Sequence, residues 1–210
     1  MDIAFLHTSK THVDRFEKII KLVNNTIKTK HYVNEDLLKQ TLLTGKVNTV
    51  GFKKYINEIK KDKCNIIICT CSTYGEEAEK LTSVYRIDRP IAEYIIEKHV
   101  NIGLVFTAHS TKNISKKLLY KIAENKNKKI TIIECDCSEY WKCFEEGNLL
   151  KYETKIAAAI KNIEQKTDVI FLAQASMQGA TKHLVNFNKE IVSSPEYGIK
   201  QIIKSVSLNS

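Results

Sequence analysis

Short, largely apolar runs alternate along this chain with longer stretches whose apolar residues recur every three or four positions. The runs are Asp2–His7, Asn65–Cys71, Asn101–Thr107, Ile130–Cys135 and Asp168–Ala173, with shorter pieces at His31–Val33 and Ile191–Ser193. Runs of this length without strict polar alternation predict strands covered on both faces, as in parallel sheets. Between them the spacing predicts helices over Thr11–Val23, Glu35–Leu43, Val50–Lys61, from Tyr74, from Pro90 to Lys98, and over Ser115–Lys126, Glu139–Glu145 and Tyr152–Gln165. Thr11 with Asp14 resembles a capping box, and Ser194-Pro195 supplies an N-cap and a first-turn proline for a closing helix. Strands alternating with helices in this order predict an α/β fold with mainly parallel sheets. In such sheets sites lie beyond the carboxyl ends of the strands.

Composition changes little in that picture. The chain has 210 residues, 43% hydrophobic and 27% charged, with only 7 Gly and 2 Pro, so it is mostly regular structure in one or two domains. No apolar run approaches the ~18 residues that span a membrane. The start, MDIAFLHTSK, lacks the pattern of a secretory signal, so a cytoplasmic protein with no membrane partner is expected. The six cysteines, Cys64, Cys69, Cys71, Cys135, Cys137 and Cys143, are then expected to be reduced thiols. A net charge of +9 raises a nucleic-acid partner. The lysines are spread over many predicted helix faces, however, and no nucleic-acid motif is present. A small anionic ligand suits the charge better.

The candidate chemistry centres on IIICTCSTYGEE at 66–77. C-T-C here and C-D-C at 135–137 hold four thiols, but neither has the wider spacing of a zinc knuckle, so no metal is expected. Cys64, Cys69 and Cys143 read as core residues, and Cys135 and Cys137 as core or site-adjacent. Cys71 is different. It ends the apolar run, and Thr73 with Glu76 fits a capping box for the following helix. A thiol there is favoured as thiolate by the helix N-terminus, so Cys71 is either a reactive thiol or a packed one. Gly75 is expected to let backbone approach a ligand. IIICTCSTY also echoes TIIECDCSEY at 131–140, either as two similar halves or as two strands with similar exits.

C-S-T at 71–73 resembles the C-N-T that follows a strand in the aspartate/glutamate (Asp/Glu/hydantoin) racemase superfamily. RIDRP at 86–90, LAQASM at 172–177, His7-Thr8 after the first strand and SSPEYG at 193–198 resemble one branch of it. The resemblance covers nearly the whole chain. It implies two similar three-layer α/β lobes with an active-site cleft between them. The first would be 1–95 together with the closing helix 196–210, the second 96–195. It also implies an enzyme that needs neither pyridoxal phosphate nor metal, acts on a small carboxylic acid, and often forms a homodimer. In racemases of this kind two cysteines on opposite faces of the substrate carbon remove and return a proton. Cys71 matches the first. The second motif, L-G-C-T, is here Leu172-Ala173-Gln174-Ala175, so Gln174 holds the second cysteine's place. An amide is neither acid nor base near neutral pH, which puts true racemisation in doubt. Single-cysteine relatives decarboxylate by one-faced protonation or isomerise unsaturated diacids, and a non-catalytic acid-binding protein is a further alternative.

The remaining candidates for substrate binding are His7, Thr8, Ser72, Thr73, Thr107, Ser110, Thr111, Gln174 and Ser176. Thr107, Ser110 and Thr111 are carboxylate donors or turn and capping residues. Ser176 binds ligand or caps a helix. His7 is a polar site residue or a cap. Arg86 clamps a carboxylate or pairs with Asp88. His183 is expected at the surface.

Overall fold

The computed structural model describes residues 1–208. They divide into two compact units, 1–88 with 195–208, and 89–194. Each is a four-stranded parallel sheet with flanking helices, as the alternation predicts.

In the first unit the strands are β1 (Asp2–His7), β2 (Lys28–Val33), β3 (Ile66–Cys69) and β4 (Val84–Arg86), in the order β2-β1-β3-β4. The helices are α1 (Val13–Val23), α2 (Glu35–Thr44), α3 (Thr49–Lys60) and the short α4 (Gly75–Glu79). Asn34 and Asn48 cap α2 and α3 by accepting from Leu37 N and Gly51 N. Gly45 ends α2 at φ 68°, a left-handed position that suits glycine. On one face of the sheet Ala4, Leu6, Ile67 and Cys69 pack against Leu37, Phe52, Ile56, Ile59 and Tyr74. Phe5 points to the other face, where it meets Phe16 of α1.

The second unit repeats the plan. It holds α5 (Arg89–Lys98), β5 (Asn101–Phe106), α6 (His109–Asn125), β6 (Thr131–Asp136), α7 (Trp141–Glu145), α8 (Leu149–Lys161), β7 (Val169–Leu172) and β8 (Glu190–Ser193). Its order is β6-β5-β7-β8. The last helix, α9 (Ser194–Leu208), belongs from Pro195 on to the first unit. Residues 209–210, included in the expected closing helix, lie outside the described residues.

In both sheets the chain steps from the first strand to an outer neighbour and then crosses to its other side. The strand order therefore reverses between β1 and β3, and between β5 and β7. Such reversals leave a crevice at the carboxyl ends of the two strands concerned.

Several expectations need correction. The unit boundary falls at 88/89, not near 95, because α5 buries Ile91, Ala92, Ile95 and Ile96 and packs on α6. β4 had no sequence signal, being three residues that end in Arg86. β2 begins at Lys28, since its outer face carries lysines. α6 starts at His109, six residues early, because its first turns bury Thr111 and Ser115 in place of apolar residues. Thr11 caps nothing; a 3-10 turn (Lys10–His12) leads into α1, and the Thr11 hydroxyl pairs with that of Ser9. The echo between 66–74 and 131–140 joins non-equivalent strands, because β3 is next to the central crossover whereas β6 lies at an edge.

Candidate active site

Strand register places the candidate residues. Leu6 is the partner of Cys69 in the β1–β3 pairing, and Thr70 N donates to Leu6 O at 3.0 Å. Carried two residues further, the same register sets Thr8 opposite Cys71. In the second unit Val105 is the partner of Leu172, and Ala173 N donates to Val105 O at 3.0 Å. Two residues further, Thr107 stands opposite Gln174. Each unit therefore carries a threonine paired with one chemically distinct side chain at its own reversal point. The pairs are Thr8 with Cys71, and Thr107 with Gln174.

Cys71 is half-buried, one turn short of α4, at the head of a 3-10 turn formed by Ser72, Thr73 and Tyr74. Burial pushes its thiol pKa up. Hydrogen bonds to the sulfur pull the other way without cancelling the rise: the Thr8 hydroxyl, the backbone N–H of Tyr74 and Thr73, and the Thr73 hydroxyl. A thiolate stabilised by a helix N-terminus is thus not what the structure contains. The Thr73–Glu76 capping box is absent, Tyr74 stands at the N-cap without a side-chain bond, and α4 has five residues. Cys71 rests as a thiol whose sulfur already faces four donors. Those donors stabilise negative charge on the sulfur once the proton leaves.

Cys69 is buried within β3 and its S–H points at Cys71 O, 3.6 Å away. Burial, reinforced by Cys71, raises its pKa well beyond the ordinary thiol range. Cys135 and Cys137 are buried with sulfurs 3.9 Å apart, close enough for one thiol to donate to the other. Cys64 lies against the first unit's core; Cys143 is half-buried.

At the second reversal point Gln174 is held by its carbonyl. Its Oε1 accepts from Thr107 N at 2.8 Å and from the Thr107 hydroxyl at 3.1 Å. Among the described residues nothing accepts from its Nε2, so both amide N–H groups are left to donate. The Thr107 hydroxyl lies 3.4 Å from the Tyr152 hydroxyl, which pairs with Ser176 Oγ at 2.9 Å. Ser176 is buried and tied to Tyr152, a residue with no sequence signal beyond its place on an amphipathic helix. Thr111 is buried and Ser110 half-buried in the first turn of α6, where Ala108 takes the N-cap position without a side-chain cap.

Other candidates go elsewhere. Arg86 is buried and bidentate to Asp88, with Nε–Oδ1 2.7 Å and Nη2–Oδ2 2.9 Å. Burial works against its charge, but Asp88 and then Glu79 outweigh it. It is a structural pair and not a carboxylate clamp. Gly75 also has a structural role. A Cβ there would stand 2.7 Å from the Arg86 guanidinium, so the glycine makes room for Arg86 and not for a ligand. His183 is half-buried against Glu153 at 3.4 Å. His7 is fully buried, with both ring nitrogens engaged by Thr70 and His31. Among the described residues no group of three or more His, Cys, Asp or Glu side chains is placed to hold a metal, and no helix is long and apolar enough to cross a membrane.

No family model and no curated protein matches the chain. Solved structures do. An aspartate racemase from Picrophilus torridus aligns with a TM-score of 0.74 at 13% identity, over 98% of this chain and 94% of that one. A glutamate racemase from Francisella tularensis in complex with D-glutamate gives 0.73 at 13%, over 99% and 81%. An allantoin racemase from Klebsiella pneumoniae gives 0.65 at 13%, over 100% and 89%. The chain has the two-lobed α/β fold of these racemases.

Proposed function

We propose that this chain is an enzyme of the Asp/Glu/hydantoin racemase superfamily that transfers a proton to or from carbon in a small carboxylic acid, with Cys71 as the only working thiol. The observation that carries the reading is the matched register at the two reversal points. A thiol faces Thr8 in one unit, and an amide faces Thr107 at the equivalent place in the other. The fold shared with aspartate, glutamate and allantoin racemases supports it.

The chemistry follows from the side chains. Racemisation needs an acid and a base on opposite faces of one carbon. Gln174 supplies neither, because its amide does not titrate near neutral pH. Its free N–H groups suit a carboxylate instead, with Thr8, Ser72, Thr73, Thr107, Ser110, Thr111 and Ser176 as further candidates around the two strand exits. Cys71, protonated at rest, is fitted to give a proton. In a balanced sequence, loss of carbon dioxide leaves its bonding electron pair on the α-carbon, and Cys71 delivers its proton there to become a thiolate. Water then reprotonates the sulfur, and the hydroxide left behind combines with the carbon dioxide as bicarbonate. One-faced protonation of this kind, as in a decarboxylase or lyase, is the form the site favours over inversion.

The test is a panel of amino, keto, hydroxy, unsaturated and malonate-type acids, read first as a rise in melting temperature on binding. Acids that bind are then incubated in deuterium oxide. We expect label at one carbon on one face, lost in Cys71→Ser. Labelling that persists in Cys71→Ser would overturn the proposal.

A further inference from the structure

A line of four side chains runs from the surface of the first unit to the β1–β3 reversal point. It starts at Glu17 on α1, whose side chain is 35% exposed. Glu17 Oε2 accepts from the Thr29 hydroxyl at 2.7 Å and lies 3.1 Å from His31 Nε2. His31 Nδ1 lies 2.8 Å from His7 Nε2, and His7 Nδ1 lies 2.9 Å from Thr70 Oγ1. The imidazole planes are within 8° of parallel with centroids 5.1 Å apart, which fits rings joined edge to edge through an in-plane lone pair. Thr70 Oγ1 also lies 3.0 Å from Leu6 O.

Counting protons along this line leaves two consistent arrangements. In the first, the Thr70 hydroxyl donates to His7 Nδ1, His7 Nε2–H donates to His31 Nδ1, and His31 Nε2–H donates to the Glu17 carboxylate. In the second, the line holds one more proton. His31 is then an imidazolium that donates to both Glu17 and His7 Nε2. His7 carries its proton on Nδ1 and donates to Thr70, whose hydroxyl turns to Leu6 O. Leu6 O keeps the Thr70 backbone N–H in both states, so the turn strands no acceptor. One proton taken up at the His31 end thus reverses the two inner hydrogen bonds and swings the Thr70 hydroxyl proton from His7 to Leu6 O.

The surroundings select these two states. His7 is enclosed by Phe5 and Phe16, whose ring centroids lie 5.9 and 5.3 Å away. Burial first, then His31 and His12, lowers its pKa to about 3. The His12 ring is 6.4 Å away, and burial and Arg15 lower its own pKa to about 4. Lys21 lies 3.4 Å from the other oxygen of Glu17. A positive charge therefore has a carboxylate beside it at His31 and none at His7.

Both ends of the β1–β3 join matter to Cys71. Thr8 follows His7 and donates to the Cys71 sulfur; Thr70 precedes Cys71. We infer that Glu17, His31, His7 and Thr70 form a proton-linked chain in which His7 is a positioning residue for Cys71, holding the two strand exits together through Thr70 and switching tautomer when the chain takes up a proton. The catalytic consequence rests on Cys71 being the reacting thiol; the chain itself does not.

The test is imidazole nitrogen NMR of the full chain across pH, with Cys71 alkylation followed in the same samples. We expect His7 to stay neutral and to exchange its proton from Nε2 to Nδ1 over the interval in which the chain takes up its extra proton. The Cys71 rate should show, besides the thiol's own ionisation, a step of about two- to tenfold over that interval, the range one rearranged hydrogen bond supplies. His31→Gln, at a half-buried position, should abolish both the tautomer exchange and the step. His7→Asn keeps an atom where Nδ1 stands but cannot reach His31, so it should retain a folded protein and lose the step. A single His7 tautomer throughout, or an exchange that survives His31→Gln, overturns the chain. A tautomer exchange with no step at Cys71 overturns the positioning role. Persistent turnover in Cys71→Ser would sink the catalytic reading while leaving the NMR result standing, so the two failures are distinguishable.

Discussion

Gln174 is anchored by Thr107 through two hydrogen bonds to one oxygen, at 2.8 Å from the backbone N–H and 3.1 Å from the hydroxyl. This fixes the amide through its oxygen, at the place in the strand register that Cys71 occupies in the first unit. Gln174→Glu keeps an oxygen for Thr107 but replaces the N–H groups by a second acceptor. Binding of a small carboxylate should weaken by tenfold or more, since a charge-assisted bond worth about 1.5–3 kcal/mol becomes a repulsion. Gln174→Ala should weaken it less. Calorimetric titration with an acid from the thermal panel checks the order. Equal affinity in all three proteins would remove Gln174 from the site.

Burial raises the pKa of Cys69 and Cys71, and this has a sign in stability. Unfolded thiols titrate near about 8.5. The folded state holds these protons more tightly, so their contribution is complete below that pH and is lost as pH rises above it. At the acid end the sign reverses. His7 and His12, lowered to about 3 and about 4, bind fewer protons folded than unfolded. Their contribution is present above about pH 6.5 and fades as pH falls toward 3. The urea midpoint should therefore be highest near neutrality and fall on both sides. A midpoint that keeps rising from pH 8 to 10 would contradict the burial of these thiols.

Gly75→Ala should destabilise the first unit by about 1–3 kcal/mol, because the new methyl lands 2.7 Å from a guanidinium that Asp88 holds along one edge by two hydrogen bonds. Asp88→Ala should cost more, about 3–5 kcal/mol, by leaving Arg86 buried with its bidentate partner gone and Glu79 at 3.5 Å. Denaturant unfolding measures both. A small-acid affinity unchanged in Gly75→Ala would agree with the structural role; a selective loss of affinity without a loss of stability would return Gly75 to the ligand.

The sequence makes some of these features legible and hides others for physical reasons. β1, β3, β5 and β7 are covered on both faces, so their apolar runs stand out, and the strand exits carrying Thr8, Cys71, Thr107 and Gln174 follow from them. β4 is too short to show a period. Thr73-x-x-Glu76 has the spacing of a cap, but the chain enters α4 through a 3-10 turn, so the pattern matched residues with other duties. Gly75, expected to make room for a ligand, instead makes room for Arg86, a neighbour that it meets only in three dimensions. The His7–His31 bond depends on register. Phe5 faces His31, and the diagonal brings His31 to His7. A histidine on each of two adjacent parallel strands was the available signal, and without the register it could not be read.

The place of Gln174 also predicts how chemistry would change if a thiol were put there. Gln174→Cys would set a second thiol beside the Thr107 hydroxyl and backbone N–H, the same kinds of donor that Thr8 and Thr73 offer Cys71. The loss of the anchored amide should weaken substrate binding by up to about tenfold. In return a proton carrier would exist at both equivalent positions, as inversion requires. In deuterium oxide the unmodified protein should exchange an α-hydrogen with retention or not at all. The variant should show the first detectable inversion, and Gln174→Ser, with a hydroxyl too weak as an acid, should not. Chiral chromatography of labelled aspartate and glutamate separates these outcomes. Rapid interconversion of the D and L forms by the unmodified protein would mean that a second proton carrier exists which neither Gln174 nor its neighbours supply, and the one-thiol reading would fall.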